Sequence, residues 1–272
     1  MDRNRFRLPL LLLAAANLSA QTASPPPAPP LFTRSDAVWS AAFLVGSIAL
    51  TRADVRIARA FNDRRVENQY ADSVLARNFA RVQEGTLTVG NLALWAIARL
   101  ARAPTMADIT FHAAESVVIA SATSQVIRGP LGRSRPYVTN SSDAYDFHFF
   151  QGFGKFRYRA FPSIHEASAF AVATVYTMET KRRAGTGAAW IVGPIVYTLA
   201  LGPGVSRMYT GQHWASDIVS GAFLGTLAAT KVMKYNHDIN PKNRVNRFFL
   251  GDKNVQLKLG ANELGLEYSK IF

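Results

Sequence analysis

The chain has 272 residues, with 31 Lys and Arg against 18 Asp and Glu, a formal net charge of +13 and no cysteine. An apolar fraction of 49% excludes disorder and fibrous repeats, and the missing cysteines exclude disulfide scaffolds, thiolate metal sites and cysteine nucleophiles. The positive surplus points to anionic company, either phosphate groups or an acidic membrane surface. Nucleic acid is disfavoured, because the basic residues are scattered and no zinc-finger, RNP-like or KH-like motif occurs.

In chain order, Arg3, Arg5 and Arg7 precede a short apolar run, Leu8 to Ala16, followed by small residues at Ser19 and Ala20. That pattern predicts an export signal over residues 1–20. Residues 21–35 contain the run Pro25 to Pro30 and read as a stiff, extended linker. Residues 36–250 carry six uncharged apolar segments: Ala37–Thr51, Gly85–Ala98, Ser116–Ile127, Ala167–Met178, Ala184–Ser206 and Ile218–Thr230. Each reads as helix, and the mixed stretch Val55–Arg81 reads as amphipathic helix lying on the core. A spanning helix needs about 20 apolar residues. Only Ala184–Ser206 reaches that, and proline and glycine interrupt it. The short runs therefore favour a bundle that does not cross a membrane. Over residues 251–272 the period changes to two, through Val255, Leu257 and Leu259 and again through Leu264, Leu266 and Tyr268, which predicts a small β-hairpin.

Three stretches carry anion chemistry. In the first, Arg128, Arg133 and Arg135 offer forked donors suited to tetrahedral oxyanions, and Gly129, Pro130, Gly132 and Pro136 read as loop. In the second, Ser163 with Glu166 three residues on forms a capping box, so His165 falls in the first turn of a helix whose free N–H groups favour an anion. In the third, His213 and Asp217 stand four apart in a segment of helical character, and Arg207 lies six residues earlier across a turn. A carboxylate beside an imidazole fixes its tautomer and frees the other nitrogen to attack. Taken singly, each stretch also fits a plainer role: a solvated basic loop, simple capping, a surface ion pair.

Taken together, Arg128-x6-Arg135-Pro136, Pro162-Ser163-Ile164-His165 and Ser206-Arg207-x5-His213-x3-Asp217 resemble the signature of the type 2 phosphatidic acid phosphatase superfamily, which also holds the class A acid phosphatases and the vanadium haloperoxidases. Two positions depart: Arg128 stands where the family has Lys, and Ile164 where it has Gly. The resemblance implies an all-α helical bundle of the phosphatase/haloperoxidase type, here with the small C-terminal hairpin appended. It implies His213 as the nucleophile, Asp217 as its orienting partner and His165 as the acid and then base. Arg128, Arg135, Ser163, Ile164 and Arg207 would bind the phosphoryl oxygens. The expected activity is hydrolysis of a phosphate monoester, on a lipid or a small molecule, through a phosphohistidine. Phosphoryl transfer needs positioning and positive charge around three equatorial oxygens, which three arginines can supply, so no metal or other cofactor is expected. Vanadate would replace phosphate in the alternative reading as a haloperoxidase, and a non-catalytic binder of phosphate or lipid is a further alternative.

The nine aromatic residues between 137 and 161, interleaved with Lys155, Arg157 and Arg159, suit either a substrate-facing wall or a loop packing its rings onto the bundle, with packing preferred. His112, His148 and His237 match no motif and read as bystanders. The export signal favours a periplasmic protein, held at the membrane surface by charge. The alternative is an integral inner-membrane protein with an outward site, to which the basic groups at Lys181–Arg183 and beyond Lys231 conform under the positive-inside rule.

Overall fold

A computed structural model describes residues 29–67, 70–251, 255–260 and 263–268. The expected export signal and most of the linker lie outside them. Six helices carry the fold: α1 (Arg34–Glu67), α2 (Tyr70–Ala80), α3 (Glu84–Leu100), α4 (Pro104–Leu131), α5 (Ile164–Tyr209) and α6 (Ala215–Lys234). Each of the six apolar segments falls inside one of them. Two strands, β1 (Val255–Gly260) and β2 (Glu263–Tyr268), pair antiparallel with Leu257 opposite Leu266.

Local chemistry sets several helix ends. Thr33 and Asp36 cap α1 reciprocally: the Asp36 carboxylate accepts from the Thr33 N–H at 2.6 Å, and Thr33 Oγ1 accepts from the Asp36 N–H at 3.3 Å. Pro104 opens α4, where its missing N–H costs nothing. The expected loop at Gly129-Pro130 is instead the last turn of α4. Gly129 has no Cβ to meet the proline ring, which eases the usual bar on helix before proline. The helix stops at Gly132, whose φ of 62° is left-handed and whose N–H returns to the Arg128 carbonyl at 3.1 Å. A Cβ there would come within 1.8 Å of the His148 carbonyl oxygen, so the position demands glycine.

α5 is folded in two at Gly185, where φ is 86°. Its halves, 164–184 and 186–209, lie antiparallel. Thr174 Oγ1 sits 2.8 Å from the Tyr197 hydroxyl, the Phe170 and Tyr197 rings are 5.4 Å apart, and Gly204 closes on Glu166. The core is built of small residues. Ala113, Val117 and Ala120 of α4 meet Ala167, Ala171 and Val175 of α5 and Ala228, Ala229 and Met233 of α6. Their helical spacing gives each helix one narrow stripe, which lets the backbones approach closely. Gly225 and Gly221 of α6 rest directly on the carbonyls of Ala167 and Ser163.

The large apolar side chains point the other way. Trp39, Val45, Ile48, Val89, Ile97, Val126, Trp190 and Ile191 are all at least 60% exposed. Two helices, Arg34–Asp63 and Ile164–Tyr209, are long and apolar enough to cross a membrane, and only 11% and 28% of their most apolar stretches are buried. The core helix of a soluble bundle would show the reverse.

Candidate active site

The antiparallel course of α4, the halves of α5 and α6 brings every expected site residue to one end of the bundle. Arg128 is on the last turn of α4, Ser163 and His165 begin α5, Arg207 ends it, and Asp217 lies in the first turn of α6. The His165 and His213 rings face each other across 5.9 Å at 65°. His213 lies not on a helix but one residue before the N-cap Trp214. The His–Asp pair is thus a loop-to-helix contact rather than a shared helix face. His213 Nδ1 is 3.5 Å from Asp217 Oδ2, which also accepts from the Trp214 N–H at 2.8 Å. Among the described residues neither ring nitrogen of His213 makes a hydrogen bond. Burial first, then the charges of Arg135 and Arg207, hold the His213 imidazole well below its usual 6.5, so the ring is neutral.

The arginines divide into two kinds. Among the described residues Arg128 bonds through Nε alone, to Gln125 Oε1 at 2.7 Å, and Arg207 donates from Nη2 to the Ala80 carbonyl at 3.1 Å. Arg135 is fully buried. It donates to the Gln212 side chain at 2.7 Å and to the carbonyls of Gln212, Phe156 and Arg159, with its guanidinium 3.9 Å from the centre of the Phe156 ring. Burial lowers it to about 10, still charged at neutral pH. Arg135 therefore brings charge and shape to the site, with most of its donors already used. Glu84, at the start of α3, faces the same cluster, its Oε2 3.9 Å from His165 Nε2.

Ser163 caps α5 as expected, its Oγ accepting from the Glu166 N–H at 3.4 Å, and its own N–H donates to the Asp217 carbonyl at 3.0 Å. The capping box is only half made, because the Glu166 carboxyl turns inward against Gly204 instead of returning to the cap. Ile164, at the first helical position, is 2% exposed: its side chain fills the core while its backbone N–H has no intrahelical partner.

Two residues that support the site were not read as parts of it. Arg133 is buried and donates to Asp217 Oδ1 at 2.6 Å, Asp54 Oδ2 at 2.7 Å, Ser216 Oγ at 2.8 Å and the Ala144 carbonyl. Burial would lower it, but Asp217 and Asp54 outweigh that and raise it. Asp54 of α1 in turn accepts from the Ser216 N–H and hydroxyl. Arg133 stood in view within the first basic stretch, but Asp54 gave no signal beyond being an acid in an amphipathic helix. The aromatic loop also differs from the preferred reading. Phe149, Phe150, Phe153 and Phe156 are each more than half exposed, although Phe153 rests on Gly129, Phe156 lies on Arg135 and Tyr158 is buried, so the loop both packs and shows ring surface outward. His112 and His237 are not isolated: they meet at the opposite end of the molecule, with ring centroids 5.2 Å apart.

A helical bundle thus brings two histidine rings, edge to face, to one end beside an arginine cluster. Residues 110–241 match the model of the PAP2 superfamily. The chain is 40% identical over 70 residues to a lipid A 1-phosphatase of Porphyromonas gingivalis, a match that spans 25% of this chain and 14% of that protein. It is also similar to the crystal structure of a transmembrane PAP2-type phosphatidylglycerolphosphate phosphatase from Bacillus subtilis, with 19% identity over 76% of this chain and 97% of that one, at a TM-score of 0.45.

Proposed function

We propose that the chain is a membrane-embedded lipid phosphatase that works through a phosphohistidine and needs no metal for the reaction. One observation carries the chemistry: a buried His213, with Asp217 Oδ2 3.5 Å from Nδ1 and with Nε2 unbonded, lies 5.9 Å from the His165 ring among arginines. The bound phosphate's negative charge offsets the arginines, so His165 takes up a proton as substrate binds; Nε2 then attacks phosphorus in line with the ester oxygen, and the P–O bond breaks as His165 passes that proton to the leaving alkoxide. Asp217 stabilises the imidazolium that forms. His165 then takes a proton from water, which attacks the phosphohistidine and releases phosphate. Arg128 and Arg207, with donors to spare, and the backbone N–H of Ile164 hold the equatorial oxygens. Arg135 adds field, and Ser163 fixes the helix end.

The lipid reading rests on two features. The exposed apolar faces of α1, α3, α4 and the second half of α5 suit a hydrocarbon surround. A largely apolar cavity of about 490 Å³, lined by Phe61, Phe79, Leu199, Val205 and Tyr209, reaches Ser206, the neighbour of Arg207, and an acyl chain there would present its phosphate to the cluster. In this setting the exposed rings of the 137–161 loop sit at the level of the headgroups.

The test is turnover of a lipid phosphate in mixed micelles, with acid-labile phosphoenzyme trapped in the same samples. Wild type hydrolyses and labels, whereas His213→Ala does neither. Equal hydrolysis by both would overturn the mechanism.

A further inference from the structure

At the end of the bundle far from the histidine pair, Asp108 and His112 of α4, Glu179 of α5 and His237 of the π-helical turn Tyr235–Ile239 converge. We propose that this cluster is a structural binding site for a divalent transition-metal ion of the zinc type.

Ligand atoms of Asp108, His112 and His237 all lie within 4.8 Å of one another. His112 Nε2 is 3.3 Å from Asp108 Oδ1, and His237 Nε2 is 3.2 Å from Glu179 Oε1. A tetrahedral ion with ligands at about 2.0–2.2 Å holds their atoms about 3.3–3.6 Å apart; these two pairs lie close to that spacing, while His237 Nε2 stands 3.9 Å from Asp108 Oδ2 and would draw in on binding. The His112 side chain is 0% exposed and that of Glu179 1% exposed, yet among the described residues neither His112 Nε2 nor Glu179 Oε1 makes a hydrogen bond, the latter having only the half-exposed Arg182 at 3.5 Å and His237 at 3.2 Å. Buried polar atoms left this way are costly unless something binds them.

The surrounding groups orient the four as a metal site requires. Glu115 Oε2 lies 3.0 Å from His112 Nδ1, so with an ion on Nε2 the ring's one proton would stay on Nδ1 and the carboxylate would orient the ligand. Arg183 holds Glu179 by Oε2 and Asp108 by Oδ2, leaving Glu179 Oε1 and Asp108 Oδ1 turned to the histidines. Asp108, Glu115 and Glu179 outnumber the guanidiniums of Arg183 and of the half-exposed Arg182, which lies 3.5 Å from Glu179 Oε1, so the carboxylates keep a negative surplus that a cation would offset. The site would tie the start of α4 to the end of the first half of α5 and to the chain leaving α6. It touches no residue of the phosphatase reading.

The test uses the whole chain in detergent, stripped with chelator and reloaded with Zn²⁺ or Co²⁺. Wild type is expected to retain a single equivalent after gel filtration, to melt higher with zinc, and to give the intense visible absorption of tetrahedral cobalt. His237→Gln and Asp108→Asn, at partly exposed positions, should fold but lose the metal and the band. Glu115→Gln should weaken binding about tenfold to a hundredfold. His213→Ala should bind as wild type does, which separates this site from the catalytic pair and from failure of the phosphatase reading. Wild type that retains no metal, His237→Gln that binds as tightly as wild type, or metal lost with His213→Ala would each overturn the proposal, the first leaving an ion-pair cluster alone.

Discussion

Asp54→Ala tests the buried network behind His213. Asp54 accepts from Arg133 at 2.7 Å and from the Ser216 N–H at 2.9 Å, with both charged side chains within 1% of full burial. Removing one partner of a buried ion pair costs about 3–5 kcal/mol, because the other charge is left stranded. Arg133 keeps Asp217 and the Ala144 carbonyl, so the cost falls at the low end, about 3 kcal/mol. At roughly 2–4 °C per kcal/mol, thermal unfolding in detergent should drop by roughly 6–12 °C. Arg133→Met strands two carboxylates and should cost more. The double variant should cost less than the two singles added, since each removes the other's lost partner. Lipid phosphatase activity should also fall in Asp54→Ala, because the guanidinium that fixes Asp217 Oδ1 is no longer held from its far side. A melting temperature equal to wild type, or strict additivity in the double variant, would refute the account.

Two further outcomes follow from the histidines. His165→Ala should lower turnover of an alkyl phosphate by about 10²–10⁴, while p-nitrophenyl phosphate, whose leaving group needs no proton, should still give a burst of nitrophenolate before stalling as phosphoenzyme; equal losses on both substrates in stopped-flow assays would remove His165 as the acid. Folded His213 resists its proton more than the unfolded chain does, so below 6.5 the unfolded state binds more protons and stability falls as pH drops; melting curves of wild type should show this slope and those of His213→Gln should show less of it, and identical slopes would count against a neutral buried ring.

The spacing of Arg128, Arg135, His165, Arg207, His213 and Asp217 made the site readable from sequence, because each motif is local and the chemistry needs those groups together. What joins the motifs was less readable. The fold-back at Gly185 depends on one left-handed residue inside what composition reads as continuous helix. The helical turn at Gly129-Pro130 arises because glycine relieves a clash that a larger residue would impose. Asp54 and Glu84 reach the site from helices distant in sequence, and one acid on an amphipathic helix does not declare where tertiary packing will take it. The burial pattern ran against the segment lengths. Short apolar runs suggested a buried bundle, but alanines and glycines took the inside and the larger side chains were left facing out.

The turn at Gly185 makes α5 a hairpin whose two arms must agree in length. His165 and Arg207 sit near the two tips, about equally far from the bend, and they come to the same end of the bundle only because the arms count out together. One residue added to either arm would swing its tip by about 100° and advance it about 1.5 Å. The helix would still pack somewhere, but one half of the site would look away from the other. The loop over residues 132–163 is under no such arithmetic, so descendants of this chain have more freedom to remodel what lies above the phosphate than to lengthen the helices beneath it.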